Sequence, residues 1–82
     1  MSTLADTARS ARVEGGFIVI SMQSGAQLSF PISENPRLAK GSPPQLSNIE
    51  ISPFGLHWPD LDEDLSIRGI AQGEYGQSAR PR

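Results

Sequence analysis

The residues best suited to chemistry lie in one stretch, FGLHWPDLDEDLSI, at residues 54–67. It contains the only histidine and the only tryptophan of the chain, followed by four acids within five residues. These side chains are His57, Trp58, Asp60, Asp62, Glu63 and Asp64. Imidazole and carboxylate groups can bind a metal, transfer protons or contact a basic surface. The stretch therefore has to be tested against three functions: a metal site, a catalytic site and an interaction surface.

The metal interpretation is tested by spacing. Asp60, Asp62 and Asp64 match the opening of a calcium-binding EF-hand loop, which also needs glycine at its sixth position and an acid at its twelfth. Leu65 and Ala71 occupy those positions, so the EF-hand is excluded. One histidine in a chain without cysteine is not a specific zinc pattern. We expect no resident metal or cofactor, and keep a looser Mg²⁺, Ca²⁺ or small-ligand site in the same loop as the alternative.

The catalytic interpretation is weak on physical grounds. Two carboxylates act as acid and base only where burial separates their pKa values. Four acids in so short a stretch stay solvated, because burying like charges together is costly. No serine has the sequence context of a nucleophile elbow. We therefore predict that the protein is not an enzyme and has no catalytic residue.

The third interpretation is a rigid acidic loop that binds another protein. Trp58 is predicted to anchor the core with its indole N–H on a backbone carbonyl, and Pro59 to turn the chain. Asp62 or Asp64 could cap the helix that follows. The predicted partner-binding residues are His57, Asp60, Asp62, Glu63 and Asp64. Such a loop attracts a basic protein by steering and by charge-assisted hydrogen bonds.

Composition limits the other functions. The chain has 82 residues, no cysteine and a net charge of −2, so one small domain is expected. Lysine and arginine are not clustered, and direct nucleic-acid binding is therefore not expected. No apolar run resembles a signal peptide or a membrane span, so we predict a cytoplasmic protein that does not enter a membrane.

The predicted elements give an α+β fold. Residues 15–22 indicate a strand buried on both faces, and residues 26–32 a returning strand with one wet face that Pro31 makes an edge. Asn35 and Ser42 are predicted to cap two short helices. They are followed by a strand at Ile49 and Ile51, a break, and an extended piece that ends at Trp58.

Residues 65–72 fit either strand or helix, and we favour a short extended entry followed by a helix that Ser66 caps and that ends near Gln72. The predicted architecture is a small antiparallel sheet of three or four strands, with an N-terminal hairpin, covered by short helices. Residues 13–73 would form one domain, and residues 1–12 and 74–82 flexible tails. Pairing of exposed strand edges could give a homodimer.

Three segments resemble a bacterial family known as domain of unknown function 2442. They are SGAQLSFPI, PRLAKGSPPQLSNIEI and GLHWPDLDEDLSIRGI, and the resemblance covers residues 13–73. The family pattern has an acid at the position of Arg68. The resemblance implies a small α+β domain, no established catalytic residues, and in many members a small protein encoded next door, as in a toxin–antitoxin pair. We therefore expect a non-enzymatic interaction or regulatory module, antitoxin-like in a two-gene pair.

Overall fold

The computed structural model describes residues 6–76. Its six strands form two antiparallel sheets of three strands, in the orders β1-β2-β3 and β4-β5-β6. The strands are β1 (Ala8–Glu14), β2 (Phe17–Met22), β3 (Gln27–Pro31), β4 (Glu50–Ser52), β5 (Gly55–Trp58) and β6 (Glu63–Ser66). The helices are a 3₁₀ turn (Ile32–Glu34), α1 (Pro36–Ala39), α2 (Pro43–Ser47) and α3 (Ile67–Ala71). The predicted α+β class is confirmed, with two sheets where one sheet of three or four strands was expected.

The first sheet forms around its most apolar strand. Ile18, Val19 and Ile20 are buried in β2, which pairs with a neighbour on each side. This confirms the prediction of a strand buried on both faces. β3 alternates as predicted, with Phe30 buried and Ser29 exposed.

The first tail prediction is wrong for residues 8–12, because they belong to β1. Ala8 is buried and Ala11 half-buried, whereas Arg9 and Arg12 are exposed. The alanine side chains are too small to give a strong apolar pattern. The strand forms because the neighbouring β2 supplies its hydrogen bonds. Residues 1–5 of the predicted tail lie outside the described part of the chain.

The second tail prediction is wrong for residues 74–76. Tyr75 stacks on the buried Phe30, with ring centroids 4.9 Å apart. Its carbonyl oxygen accepts a hydrogen bond from the side chain of Asn35, at 2.7 Å. A lone aromatic in a polar segment gave little reason to expect this contact. Residues 77–82 lie outside the described residues.

The helix starts follow their predicted caps. The Asn35 side chain accepts from the backbone N–H of Leu38, and Ser42 and Gln45 form the reciprocal capping box. Ser66 accepts from the N–H of Gly69 at 2.8 Å and starts α3. The segment 65–72 is thus the end of a strand followed by a helix, as favoured. Among residues 6–76 no helix is long and apolar enough to cross a membrane.

Trp58 joins the second sheet to α2. Its side chain is fully buried, and its indole N–H donates to the carbonyl oxygen of Leu46 at 3.1 Å. The predicted contact with a backbone carbonyl is therefore present. Because the indole meets its one hydrogen-bonding requirement in the core, its large apolar surface is buried without an unpaired donor.

Asn35 is the one fully buried polar side chain among the described residues. Its oxygen accepts from Leu38 N at 3.0 Å, and its amide group donates to Glu63 Oε2 and to Tyr75 O, each at 2.7 Å. Three separate parts of the chain therefore meet at one side chain: the start of α1, the start of β6 and the segment after α3.

We expect Asn35→Ala to lower the free energy of unfolding by about 2–4 kcal/mol, because it removes a cap and leaves two half-buried acceptors without their donor. Urea denaturation measures this change. Ser42→Ala is the matched control, because it removes a cap at an exposed site and should cost about 1 kcal/mol. A loss in Asn35→Ala no greater than in Ser42→Ala would contradict this role.

Candidate functional site

The four acids of the 60–64 stretch do not form one loop. Residues 59–62 form the turn between β5 and β6, but Glu63 and Asp64 lie in β6. The prediction of a single acidic loop is wrong for these two residues. β6 pairs with β5, with Glu63 opposite Trp58 and Asp64 opposite His57. Since neighbouring strand residues point to opposite faces, the two carboxylates are separated.

Glu63 is turned inward. Its side chain is 12% exposed, its Oε2 accepts from the amide of Asn35, and its Oε1 lies 3.8 Å from Arg37 Nε. These contacts use the carboxylate to hold β6 against α1. The predicted role of Glu63 in binding a partner does not fit this placement, because little of the group faces solvent.

Asp60 and Asp62 stabilise the turn. Asp60 accepts from the side-chain amide of Asn48 at 3.0 Å. Asp62 has φ of 53°, a left-handed conformation that aspartate tolerates better than most residues, and its backbone carbonyl accepts from Arg37 at 2.9 Å. Its carboxylate is 93% exposed and lies 3.6 Å from Arg37 Nη1. Neither Asp62 nor Asp64 caps α3, since Ser66 does so.

Asp64 belongs to a row of three side chains across the second sheet. The strand register places Glu50 opposite His57 and His57 opposite Asp64. We call Glu50, His57 and Asp64 the outer acidic row. The imidazole Nδ1 lies 2.6 Å from Asp64 Oδ1. This hydrogen bond raises the pKa of His57. The negative charges of Asp64 and Glu50 raise the pKa further, whereas partial desolvation lowers it.

Glu50 is a site residue that no local sequence pattern indicates. Its position between Ile49 and Ile51 indicates only that it points away from their face of the strand. Its place beside His57 depends on the pairing of β4 with β5, which is set by the turn at Pro53 and Phe54. Sequence alternation alone does not specify that register.

An open groove lies beside the outer acidic row. It has a volume of about 560 Å³, and the register places Ser52, Gly55 and Ser66 side by side along it. Gly55 has no side chain to fill the middle, and a Cβ there would lie 3.1 Å from the carbonyl oxygen of Leu65. Phe54 stands at the rim with 64% of its surface exposed.

The arrangement does not assemble a metal site within residues 6–76. No group of three or more histidine, aspartate or glutamate side chains there is close enough to hold an ion. The alternative of a looser Mg²⁺ or Ca²⁺ site therefore has no preformed set of protein ligands in the described chain. What the site offers is an exposed row of charge, a shallow groove and an aromatic ring.

A model of a protein family of unknown function, DUF2442, matches residues 8–76. The chain belongs to this family. The resemblance inferred from the sequence is thereby confirmed, and the match also includes residues 8–12 and 74–76, which lie in the predicted tails.

Two solved structures resemble this member of the DUF2442 family. A protein of unknown function from Rhodospirillum rubrum is 31% identical, with a TM-score of 0.81 over 90% of this chain and 94% of the other. An uncharacterized protein from Chromobacterium violaceum is 30% identical, with a TM-score of 0.76 over 88% of this chain and 70% of the other. Among curated proteins none matches the chain.

The raised pKa of His57 predicts a pH-dependent stability. A group with a higher pKa in the folded state stabilises the fold below its unfolded value near 6.5, and this contribution disappears as the pH rises through the folded value. We expect NMR titration to place the His57 pKa above 6.5 in the wild type and to find it lowered in Asp64→Asn.

The same variant should lose stability relative to the wild type at about pH 6, with the difference shrinking above the folded pKa of His57. Asp60→Asn is the matched control, because that carboxylate bonds to Asn48 and not to the imidazole. An unchanged His57 pKa in Asp64→Asn would contradict the proposed cause.

Proposed function

We propose that this protein is a non-enzymatic bacterial interaction module that binds a basic segment of another protein on its second sheet. The observation that carries the proposal is the outer acidic row beside an open groove with an exposed Phe54 at its rim.

Charge favours a basic ligand at this row. When His57 is neutral, Glu50 and Asp64 present two carboxylates on either side of it. An arginine or lysine side chain could pair with either carboxylate, and arginine could do so through two parallel hydrogen bonds. Asp60 and Asp62, in the turn at the end of the same hairpin, add negative charge that attracts a basic partner at longer range.

The shape of the groove favours a peptide segment. It is open to solvent along the sheet, whereas sites for small molecules are usually concave and bury most of their ligand. Phe54 also offers an exposed ring face, which attracts a guanidinium or ammonium group. An extended basic segment could therefore use both the carboxylates and the ring.

The supporting residues favour recognition because they hold the row in place before binding. Trp58 is bonded to Leu46, and Arg37 joins the turn to α1 through Asp62. A surface that is already ordered loses less conformational entropy when a partner binds. The buried Trp58 and the turn that begins at Pro59 agree with the structural roles predicted for these two residues.

The family points to a first candidate for the partner. Since members resemble one half of a two-gene pair, we propose that a basic protein encoded next to this one binds here, with this chain as the antitoxin-like or regulatory half. A second copy of the chain is the alternative occupant. Sedimentation at two concentrations distinguishes them, because only self-association makes the mass of the isolated protein depend on concentration.

We expect Glu50→Gln/Asp64→Asn to weaken binding of an arginine-containing peptide by about tenfold, because two exposed charge pairs are lost. Isothermal calorimetry at low salt measures this change, and raising the salt should weaken the wild type more than the variant. Glu34→Gln/Glu74→Gln is the matched control, because it changes the net charge equally but neither residue lines the groove.

The same pair of variants applies to the protein encoded next door. If the variant Glu50→Gln/Asp64→Asn binds both the peptide and that protein as tightly as the wild type does, binding at the outer acidic row is refuted.

A further inference from the structure

We infer that the bound segment carries a bulky apolar side chain beside its basic residue, and that this side chain binds in a second groove next to the first. The inference rests on the proposed function and specifies the chemistry of the partner.

The second groove is apolar. It has a volume of about 670 Å³ and lies where Met22 and Leu28 of the first sheet approach Ile67 and Ala71 of α3. Ala71 is exposed, and its small side chain leaves the groove open on the helix side. A leucine or phenylalanine side chain of a partner would remove this apolar surface from water.

The two grooves adjoin each other. Phe54 and Ser66 line both of them, and Phe54 directly precedes Gly55 in the first groove. The phenylalanine ring is the most exposed of the large apolar side chains described, so it presents a contact surface to either groove. A segment bound beside the outer acidic row therefore reaches the apolar groove within a few residues, since an extended chain advances about 3.3 Å per residue.

The charges around the two grooves determine which residue of the partner binds in each groove. Arg68 lines the apolar groove, is exposed, and forms no ion pair with another residue of the described chain. Asp6 also lines it, and hydrogen bonds from Ser24 and from the N–H of Thr7 stabilise its charged carboxylate. The positive charge of Arg68 offsets the negative charge of Asp6, so the second groove offers a cation no net attraction, whereas the outer acidic row carries two carboxylates. The partner's cation is thus directed to Glu50 and Asp64, and its apolar side chain to the second groove.

Four synthetic peptides of equal length test the inference, in which an arginine and a neighbouring leucine are each present or replaced by serine. Calorimetry should show that the leucine strengthens binding of the arginine peptide by about tenfold, the gain for partly burying one such side chain. Ala71→Gln fills the apolar groove and should abolish this gain while keeping the contribution of the arginine. Ala39→Gln, the same change at an exposed position of α1, should leave both contributions intact.

A peptide with a second arginine in place of the leucine tests the role of Arg68. It should bind the wild type more weakly than the leucine peptide and regain affinity in Arg68→Glu. An absence of this recovery overturns the assigned role of Arg68.

The outcomes separate this inference from the proposed function. If the arginine peptides bind but the leucine adds nothing, or if its gain survives Ala71→Gln, the second groove is not used and the inference is overturned. If no arginine peptide binds, the proposed function itself fails.

Discussion

The hydrogen bonds of the buried Asn35 amide are the constraint on which the site depends. One of them holds Glu63 at the inner face of β6, at 2.7 Å. Because side chains alternate along a strand, an inward Glu63 requires an outward Asp64. A slip of one residue in β6 would exchange the two carboxylates, burying the wrong one and removing the partner of His57. The outer acidic row is therefore determined by a polar contact in the interior.

The same logic applies to the neighbouring strand. Trp58 is fully buried and bonded to α2, so the preceding residue, His57, must face outward. The core thus determines the face of the sheet on which the imidazole lies. The surface chemistry then depends on the hairpin pairing, which sets Asp64 at 2.6 Å from the ring. Core packing determines the face of the sheet on which His57 lies, and strand register determines which side chains lie beside it.

Local sequence patterns predicted the features that depend on residue type or on interactions between residues close together in the chain. The caps at Asn35, Ser42 and Ser66 and the buried strand β2 follow from residues within a few positions of one another. The role of Trp58 follows from its residue type, since a large indole favours the core and its N–H needs an acceptor. Contacts between residues that are distant in the chain were not predictable in this way. β1 has a weak apolar pattern, Tyr75 finds Phe30 far along the sequence, and the inward turn of Glu63 depends on Asn35. None of these contacts has a local signature.

The bond from Asn35 to the carbonyl of Tyr75 has a consequence for synthesis on the ribosome. The first sheet is made of consecutive hairpins, so it can begin to form while the rest of the chain is still in the exit tunnel. Asn35, however, obtains its acceptors only from residues 63 and 75, near the end of the described chain. The nascent protein therefore lacks the acceptors of this amide until residue 75 has left the exit tunnel, and its interior closes only then.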